Sequence, residues 1–242
     1  MDAKYDSIGI NYSKLRLPDR RIVAILDRAL GTAKSVLNVG AGTGSYEPAN
    51  RSVTAVEPSL EMIRQRPVGA PQAVQAFSED LPFEDDSFDA SMAILTLHHW
   101  SDREAGLREM RRVTRGPLVL LTFDPASRPW LTDYLPELAA LDEGRFPMMS
   151  DYVRCLGQVQ IETVPIPHDC SDGFLYAYWR RPAAYLDPYI RTGSSSFWAV
   201  DDCETGLERL RVDLETGRWK MRYADLLSQD SYDAGYRLVV SN

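Results

Sequence analysis

The sequence predicts an α/β fold built on a mainly parallel sheet. Three observations favour it: short apolar runs recur along the first half of the chain, segments with helical periodicity separate them, and the first run leads straight into a glycine-rich loop. Strands that alternate with helices are typical of parallel sheets, because each helix carries the chain back to where the next strand can begin. With 242 residues, 44% of them hydrophobic, the chain can bury a full core without disulfide bonds.

The first elements are a helix and two strands. Residues 18–30 carry apolar side chains at helical spacing, and Gly31 is placed to end that helix. Residues 36–39 are predicted to form the first strand. Residues 53–56 form a second, rich in β-branched side chains, which ends at Glu57.

The next elements continue the alternation of helix and strand. Ser59 can cap a helix that holds Met62, because its hydroxyl can accept a hydrogen bond from the first helical turn. Residues 88–97 are predicted to form a further strand and residues 102–113 an amphipathic helix. Residues 118–123 are apolar almost throughout, as expected for a strand that is covered on both faces.

The half of the chain beyond residue 125 is rich in aromatic residues, which either pack as core or surround a ligand. Two strand-like segments remain there, at residues 159–165 and 236–240. We expect these segments to complete the sheet, with helical material between them forming a cap. The whole chain, residues 1–242, is then a single domain with a core in residues 1–125 and a cap in residues 126–235.

The amino-acid composition limits the classes of binding partner and the cellular compartment that we expect. The 35 acidic residues outnumber the 27 basic ones, and a net charge of −8 disfavours attraction to nucleic acids or anionic membranes. Three widely spaced cysteines, Cys155, Cys170 and Cys203, fit neither a disulfide framework nor a zinc site and favour a reducing compartment. No signal-peptide core and no run near the roughly 20 apolar residues of a membrane helix is found. We therefore expect a soluble, unprocessed cytoplasmic protein with a small-molecule partner.

The glycine loop indicates the kind of ligand. Gly40, Gly42 and Gly44 occupy alternate positions after the first strand, where glycine lets the backbone turn sharply and approach a ligand closely. In the dinucleotide fingerprint the third glycine comes three residues after the second, and Ser45 stands at that position here. The spacing therefore disfavours NAD and FAD.

Four motifs carry a family resemblance. They are residues 36–44, Glu57, residues 77–83 followed by Asp86-Ser87-Phe88-Asp89, and residues 97–100. Together they resemble the class I S-adenosylmethionine-dependent methyltransferases, particularly the small-molecule branch similar to ubiquinone and menaquinone biosynthesis methyltransferases. The resemblance covers about residues 5–125. It implies a Rossmann-like sheet of seven mostly parallel strands with helices on both faces and a helical cap inserted in the C-terminal half.

The resemblance also implies S-adenosyl-L-methionine as cofactor and S-adenosyl-L-homocysteine as its product. Glu57 follows Gly44 by 13 positions, where its carboxylate can accept hydrogen bonds from both ribose hydroxyls. Arg16 is placed to meet the methionine carboxylate, or else to be solvated. The full set of cofactor residues implied is Tyr12, Arg16, Gly40, Ala41, Gly42, Gly44, Glu57, Pro58, Met62, Phe77, Ser78, Glu79 and Ile94.

Two residues depart from the family pattern. Phe77 replaces a polar residue, which predicts either stacking on the adenine or packing in the core. Asn38 stands in the first strand where the family usually has an acid; an amide can still brace the loop by hydrogen bonds. The acidic cluster between Glu79 and Asp86 fits a solvated turn, so no metal is predicted.

His98 and His99 are the candidate catalytic residues. They follow the predicted strand at the carboxyl edge of the sheet, where ligands of open α/β sheets bind, and either imidazole can act as general base or simply orient the substrate. Candidates for substrate binding are Trp100, His168, Tyr178 and Arg181. The basic pair at residues 180–181 can bind an acidic or phosphorylated substrate, or form surface ion pairs.

The function predicted is methyl transfer from S-adenosylmethionine to an oxygen, nitrogen or carbon atom of a small metabolite. Two alternatives stay open at this point: an enzyme of the same fold that does not methylate, and a cofactor-binding module without turnover. A third, an NAD-dependent oxidoreductase, is disfavoured by the glycine spacing. The acceptor is not specified by the sequence, and neither is the choice between monomer and homodimer.

Overall fold

A computed structural model describes residues 12–242 of the chain, with side chains from residue 14 onward. Its described residues form a seven-stranded sheet in the order β3-β2-β1-β4-β5-β9-β6 and a small sheet of β7 and β8. The strands are β1 (Ser35–Val39), β2 (Ser52–Val56), β3 (Ala73–Val74), β4 (Ala90–Ile94), β5 (Leu118–Phe123), β6 (Val159–Thr163), β7 (Ile166–Pro167), β8 (Ser231–Tyr232) and β9 (Tyr236–Ser241).

Strands β1 to β5 pair in parallel, and β9 runs antiparallel between β5 and β6. The α-helices are α1 (Tyr12–Leu15), α2 (Arg20–Leu30), α3 (Leu60–Arg64), α4 (Arg103–Arg112), α5 (Pro136–Arg145), α6 (Met149–Leu156), α7 (Pro188–Arg191), α8 (Glu204–Glu215), α9 (Arg218–Arg222) and α10 (Ala224–Leu227). The predicted fold class, a mostly parallel sheet of seven strands covered by helices, is confirmed.

Two buried clusters lie on opposite faces of the sheet, because neighbouring residues of a strand point in opposite directions. Val119 of β5 packs on the face covered by α2, whereas Leu120 packs on the face covered by α4 and α6. All six residues of β5 are buried. The apolar run that predicted a strand covered on both faces is thereby explained.

Side-chain caps begin the helices near the predicted positions. Asp19 caps α2, Ser59 accepts a hydrogen bond from the amide of Met62 at 3.2 Å in α3, and Asp102 caps α4. Each cap satisfies an amide that the first helical turn leaves without a backbone partner. Gly31 ends α2 with a φ of 57°, a conformation that favours glycine.

Two predicted boundaries were wrong. The strand predicted over residues 88–97 stops at Ile94, because Leu95 has a φ of 51°, which extended backbone does not allow, and a 3₁₀ turn (Leu97–His99) follows. The segment predicted over residues 159–165 is a strand only to Thr163. The short edge strand β3 was not predicted at all.

Most aromatic residues of the second half pack as core. Trp130 lies at the centre of a cluster with Tyr185 and Trp219, with ring centroids 5.8 and 5.2 Å away, and its indole NH donates to the carbonyl of Trp179. Such clusters hold the segments between β5 and β9 together. Among the described helices, none has the length and apolarity needed to cross a bilayer.

Candidate active site

The glycine loop between β1 and β2 has the backbone that its sequence predicts. Gly40, Gly42 and Gly44 have φ values of 69°, 52° and 90°. The amides of Gly40 and Ala41 both donate to the carbonyl of Val56 at 2.9 Å, which ties the loop to the end of β2. A Cβ atom on Gly42 would meet nothing within 4 Å, so the loop presents bare backbone to an open cleft.

Glu57 holds this loop in place. Its carboxylate is nearly buried, and it accepts hydrogen bonds from the amides of Gly42 at 2.8 Å and Ser59 at 2.9 Å. The acid therefore links the glycine loop to the start of α3. Because a carboxylate has about four acceptor sites, it can still receive hydroxyl groups of a ligand in the cleft.

Asn38 departs from the family pattern for a physical reason. Its side-chain amide donates to Glu47 at 3.0 Å, and Glu47 is paired with Arg66 at 2.8 Å, both side chains being almost fully buried. A second carboxylate at position 38 would face Glu47 across this distance and repel it. The negative charge under the loop is thus carried by Glu47.

A cleft runs along the carboxyl ends of β1, β2 and β4 and contains about 1960 Å³ of empty space, including its open side. It is lined by Arg16, Gly40, Ala41, Gly42, Glu57, Pro58, Met62, Phe77, Ser78, Glu79 and Ile94. The structure therefore brings together the predicted cofactor residues with two exceptions. Gly44 lies against Glu47 and Arg66 and is not part of the lining, and the side chain of Tyr12 is outside the described residues.

Phe77 is 48% exposed and forms part of the cleft wall. Packing in the core, one of the two interpretations of this residue, is therefore excluded. An exposed ring on a cleft wall is suited to stack on a flat ligand. Arg16 is likewise not solvated: its guanidinium pairs with the fully buried Asp172 at 2.6 Å while lining the cleft.

A second, smaller cavity opens behind the cleft, and we refer to it as the aromatic chamber. It contains about 440 Å³ of empty space, including its mouth. Its aromatic walls are the rings of Phe123, Phe146, Phe174, Tyr176 and Tyr236. Arg16, Leu95 and His98 line both cavities, so the two spaces lie on either side of these residues.

His98 stands at the junction of the two cavities, whereas His99 lines the cleft alone. The Nδ1 atom of His98 is buried and has no hydrogen-bond partner among the described residues. Burial, reinforced by the neighbouring His99 and by Arg145, Arg16 and Arg103, holds the pKa of His98 well below its usual value. His98 is therefore neutral at physiological pH, so one of its ring nitrogens carries no proton.

Leu95 was not among the predicted site residues. Its φ of 51° is unusual for a branched apolar residue, and its amide donates to the carbonyl of Leu121 at 2.8 Å. Strained backbone of this kind is often found at functional sites. No sequence signal marks it, because leucine favours neither turns nor positive φ values.

The predicted substrate residues do not come together. Trp100 lines the cleft, but His168, Tyr178 and Arg181 line neither the cleft nor the chamber. The guanidinium of Arg181 lies 4.7 Å from the ring centre of Tyr178 and donates to the carbonyl of Cys170 at 2.8 Å. For these three residues a role in binding substrate stays a prediction.

The sheet order, the glycine loop and the cleft at the carboxyl edge define an α/β protein of the type that binds a nucleoside-containing cofactor. A family model for a methyltransferase domain matches residues 37–117. A solved structure from Anabaena variabilis ATCC 29413, assigned as a methyltransferase of an antibiotic biosynthesis pathway, is 37% identical and has a TM-score of 0.88. The alignment covers 94% of this chain and 99% of that one. The chain therefore belongs to the class I S-adenosylmethionine-dependent methyltransferases.

Curated relatives are similar over about half of the chain. The ubiquinone/menaquinone biosynthesis C-methyltransferase UbiE of Geotalea daltonii is 34% identical over 132 residues, which are 48% of this chain and 54% of that protein. The demethylmenaquinone methyltransferase of Porphyromonas gingivalis is 35% identical over 118 residues, 41% of this chain and 48% of that protein. The chain thus spans about half the length of these relatives. The family resemblance seen in the sequence is confirmed, and S-adenosylmethionine is the cofactor of the family.

Proposed function

We propose that this protein transfers the methyl group of S-adenosylmethionine to an oxygen, nitrogen or carbon atom of a small molecule. The observation that carries the proposal is that two spaces adjoin: the cleft bounded by the glycine loop and Glu57 shares His98 as a wall residue with the aromatic chamber. One space suits the cofactor and the other suits an acceptor. The curated relatives, named as methyltransferases of quinone biosynthesis, support a small acceptor.

The residues of the cleft fit the cofactor. Gly42 leaves bare backbone beside Glu57, which can receive the ribose hydroxyls, and Phe77 offers its ring to the adenine. A buried oxygen of Asn38 and a buried guanidinium nitrogen of Arg145 have no hydrogen-bond partner among the described residues, and both side chains line this cleft. These groups can meet the amino and carboxylate groups of the methionine end.

When bound, S-adenosylmethionine supplies a methyl group on a positively charged sulfur, so the protein need not create a leaving group. What remains for the protein is to orient the acceptor, exclude water and remove a proton. We assign proton removal to His98, whose Nδ1 atom would take the proton that the acceptor atom loses on methylation. The choice of His98 over His99 rests on its place between the two cavities.

Titration calorimetry with S-adenosylmethionine and S-adenosylhomocysteine tests cofactor binding. Incubation with labelled S-adenosylmethionine and a cell extract, followed by mass identification of the labelled product, tests transfer and identifies the acceptor atom. Binding without any labelled product would reject the proposed activity in favour of a cofactor-binding module. Failure of both cofactor forms to bind would reject the proposal altogether.

Replacing Glu57 by Ala is expected to weaken S-adenosylhomocysteine binding by about 30-fold, close to 2 kcal/mol, since a charged acceptor for the ribose is lost. The amides of Gly42 and Ser59 lose their acceptor as well, so the loop becomes less ordered. Calorimetry measures the affinity. Glu57→Gln, which keeps one acceptor oxygen, should lose less, and equal affinities for wild type and Glu57→Ala would contradict the assignment.

Replacing Phe77 by Ala is expected to weaken cofactor binding by about fivefold, near 1 kcal/mol, through the loss of stacking on the adenine. Stability should change little, because the ring is half exposed. Phe77→Tyr keeps the ring and serves as the matched control. A sinefungin or S-adenosylhomocysteine titration that shows no difference between Phe77→Ala and wild type would exclude the stacking role.

We also propose a cytoplasmic location. The three cysteines are free in the structure, and two of them are only partly buried, which suits a reducing compartment. Fractionation of cells that express the tagged protein tests this location.

A further inference from the structure

The aromatic chamber contains an acid that the proposed transfer of a methyl group does not use. Asp142 of α5 lines the chamber and is 1% exposed. One carboxylate oxygen accepts a hydrogen bond from the hydroxyl of Tyr176 at 2.7 Å. The other oxygen is buried without a hydrogen-bond partner among the described residues. A buried carboxylate oxygen without a partner costs free energy, so it needs an explanation.

The surroundings of Asp142 in the chamber are partly apolar and partly polar. Phe123 and Phe146 form part of the chamber wall, and three consecutive buried serines, Ser194 to Ser196, line it as well. Burial raises the pKa of Asp142 to about 6, with Tyr176, Arg145 and Arg128 acting against the shift. The side chain is therefore still ionised at neutral pH and can only accept hydrogen bonds.

The basic groups near the chamber do not provide the missing donor. Arg16 lines the chamber, but its guanidinium is engaged by Asp172, with nitrogen–oxygen distances of 2.6 and 3.3 Å. Arg128 donates to Glu143. Arg145, three residues further along α5, acts on Asp142 through its charge but makes no hydrogen bond to the free oxygen. A molecule that enters the chamber can supply the donor for this oxygen.

We propose that the aromatic chamber is the acceptor subsite and that Asp142 binds a hydroxyl or N–H group of a flat, largely apolar acceptor. The inference rests on the proposed function, since it takes the cleft to hold the cofactor. The aromatic walls recognise the flat body of the acceptor, and Asp142 recognises the polar group that distinguishes it from a plain hydrocarbon. His98 at the mouth then lies on the side of the cofactor.

The test measures binding of three small probes, phenol, aniline and toluene, to the protein saturated with S-adenosylhomocysteine, by ligand-detected NMR. Toluene is the most apolar of the three, so a chamber without a polar partner would favour it. We expect phenol or aniline to bind about 10-fold more tightly than toluene, as one hydrogen bond to a buried carboxylate predicts. Equal affinities, or a preference for toluene, would overturn the proposal.

Two variants test whether Asp142 causes the preference for phenol over toluene. Asp142→Leu is expected to reduce the ratio of phenol to toluene affinity to about 1 or below, since the acceptor oxygen is gone. Asp213→Leu is the matched control: Asp213 also accepts from a tyrosine, Tyr134, at 2.7 Å, but it does not line the chamber, so the ratio should stay as in wild type. Retention of the wild-type ratio in Asp142→Leu would exclude Asp142 as the binding group.

If Asp142→Leu does not fold, Ser195→Leu provides a second test of whether the probes bind in the aromatic chamber. It narrows the chamber while Asp142 itself is retained, and it should abolish phenol binding while S-adenosylhomocysteine binds as before. Unchanged phenol binding in this variant would place the probe elsewhere and overturn the inference. If the wild type does not bind S-adenosylhomocysteine, the proposed function is rejected. The ratio of phenol to toluene affinity, measured without cofactor, would then still test the proposed role of the chamber.

Discussion

Gly40→Ala is expected to lower the free energy of unfolding by about 4 kcal/mol, the largest change in stability that we predict for a single methyl group in this protein. Two costs add up. The φ of 69° disfavours any residue with a Cβ atom, and that atom would stand 2.1 Å from the hydroxyl oxygen of Thr96. Neither the loop nor the 3₁₀ turn beyond β4 can move away without disturbing the cleft. Urea denaturation measures the loss.

Gly69→Ala separates the two costs. Gly69 has a φ of 87°, but a Cβ atom there would meet nothing within 4 Å. This control should therefore lose only about 1 kcal/mol, from backbone strain alone. The double variant Gly40→Ala/Thr96→Gly should recover part of the loss, because the clash is removed while the strain stays. Equal losses for Gly40→Ala and Gly69→Ala would show that the contact with Thr96 is not what requires glycine.

His98→Ala is expected to lower kcat/KM for the acceptor by about 100-fold or more, as removal of a general base does, while the affinity for S-adenosylhomocysteine changes by less than about threefold. His99→Ala, which removes the neighbouring imidazole that lines only the cleft, should have a much smaller effect. Steady-state kinetics with the acceptor identified by the labelling experiment measures both. A larger loss for His99→Ala would transfer the role to that residue.

The pH dependence of the wild type gives a second readout for His98. A histidine with its ordinary pKa of 6.5 is half protonated at that pH, but burial holds the pKa of His98 well below it. The neutral base therefore persists, so protonation of His98 should not lower kcat/KM as the pH falls through 6.5. A loss of kcat/KM centred near pH 6 is expected from Asp142 instead, because its pKa is about 6 and only its ionised form accepts a hydrogen bond from the acceptor. The contribution of His98 to stability falls as the pH drops below about 6.5, because the unfolded chain takes up this proton near pH 6.5 and the folded protein does not. Asp142, whose pKa is raised to about 6, contributes in the opposite direction below that pH. An acid limb of kcat/KM at pH 6.5 or above would contradict the assignment.

The sequence predicted those parts of the protein that depend on local rules. The glycine loop, the cap at Ser59 and the apolar strand β5 each follow from the needs of one turn or one strand. The edge strand β3 escaped prediction because two residues are too few to show a period. The end of β4 was placed too late because nothing in Leu95 announces its positive φ.

The cofactor side of the candidate site was predicted from the sequence, but the acceptor side was not, because only the former depends on local motifs. On the cofactor side it is formed by contiguous motifs that follow strand ends, so the sequence itself places Gly42, Glu57 and Phe77 at one edge of the sheet. The acceptor side is assembled from segments far apart in the chain, and the sequence pointed to His168 and Arg181, which line neither cavity. Asp142, on a short helix without any motif, was not predicted.

By itself, then, the sequence determined the fold class, the cofactor and the family, because β-strand and glycine patterns report on backbone geometry that neighbouring residues specify. Tertiary structure alone decided which histidine stands between the cleft and the chamber, why Asn38 replaces an acid beside Glu47, and which buried carboxylate lacks a partner. These are properties of pairs of side chains from distant segments. Their distances, and the dielectric environment that sets their pKa values, exist only once the chain has packed.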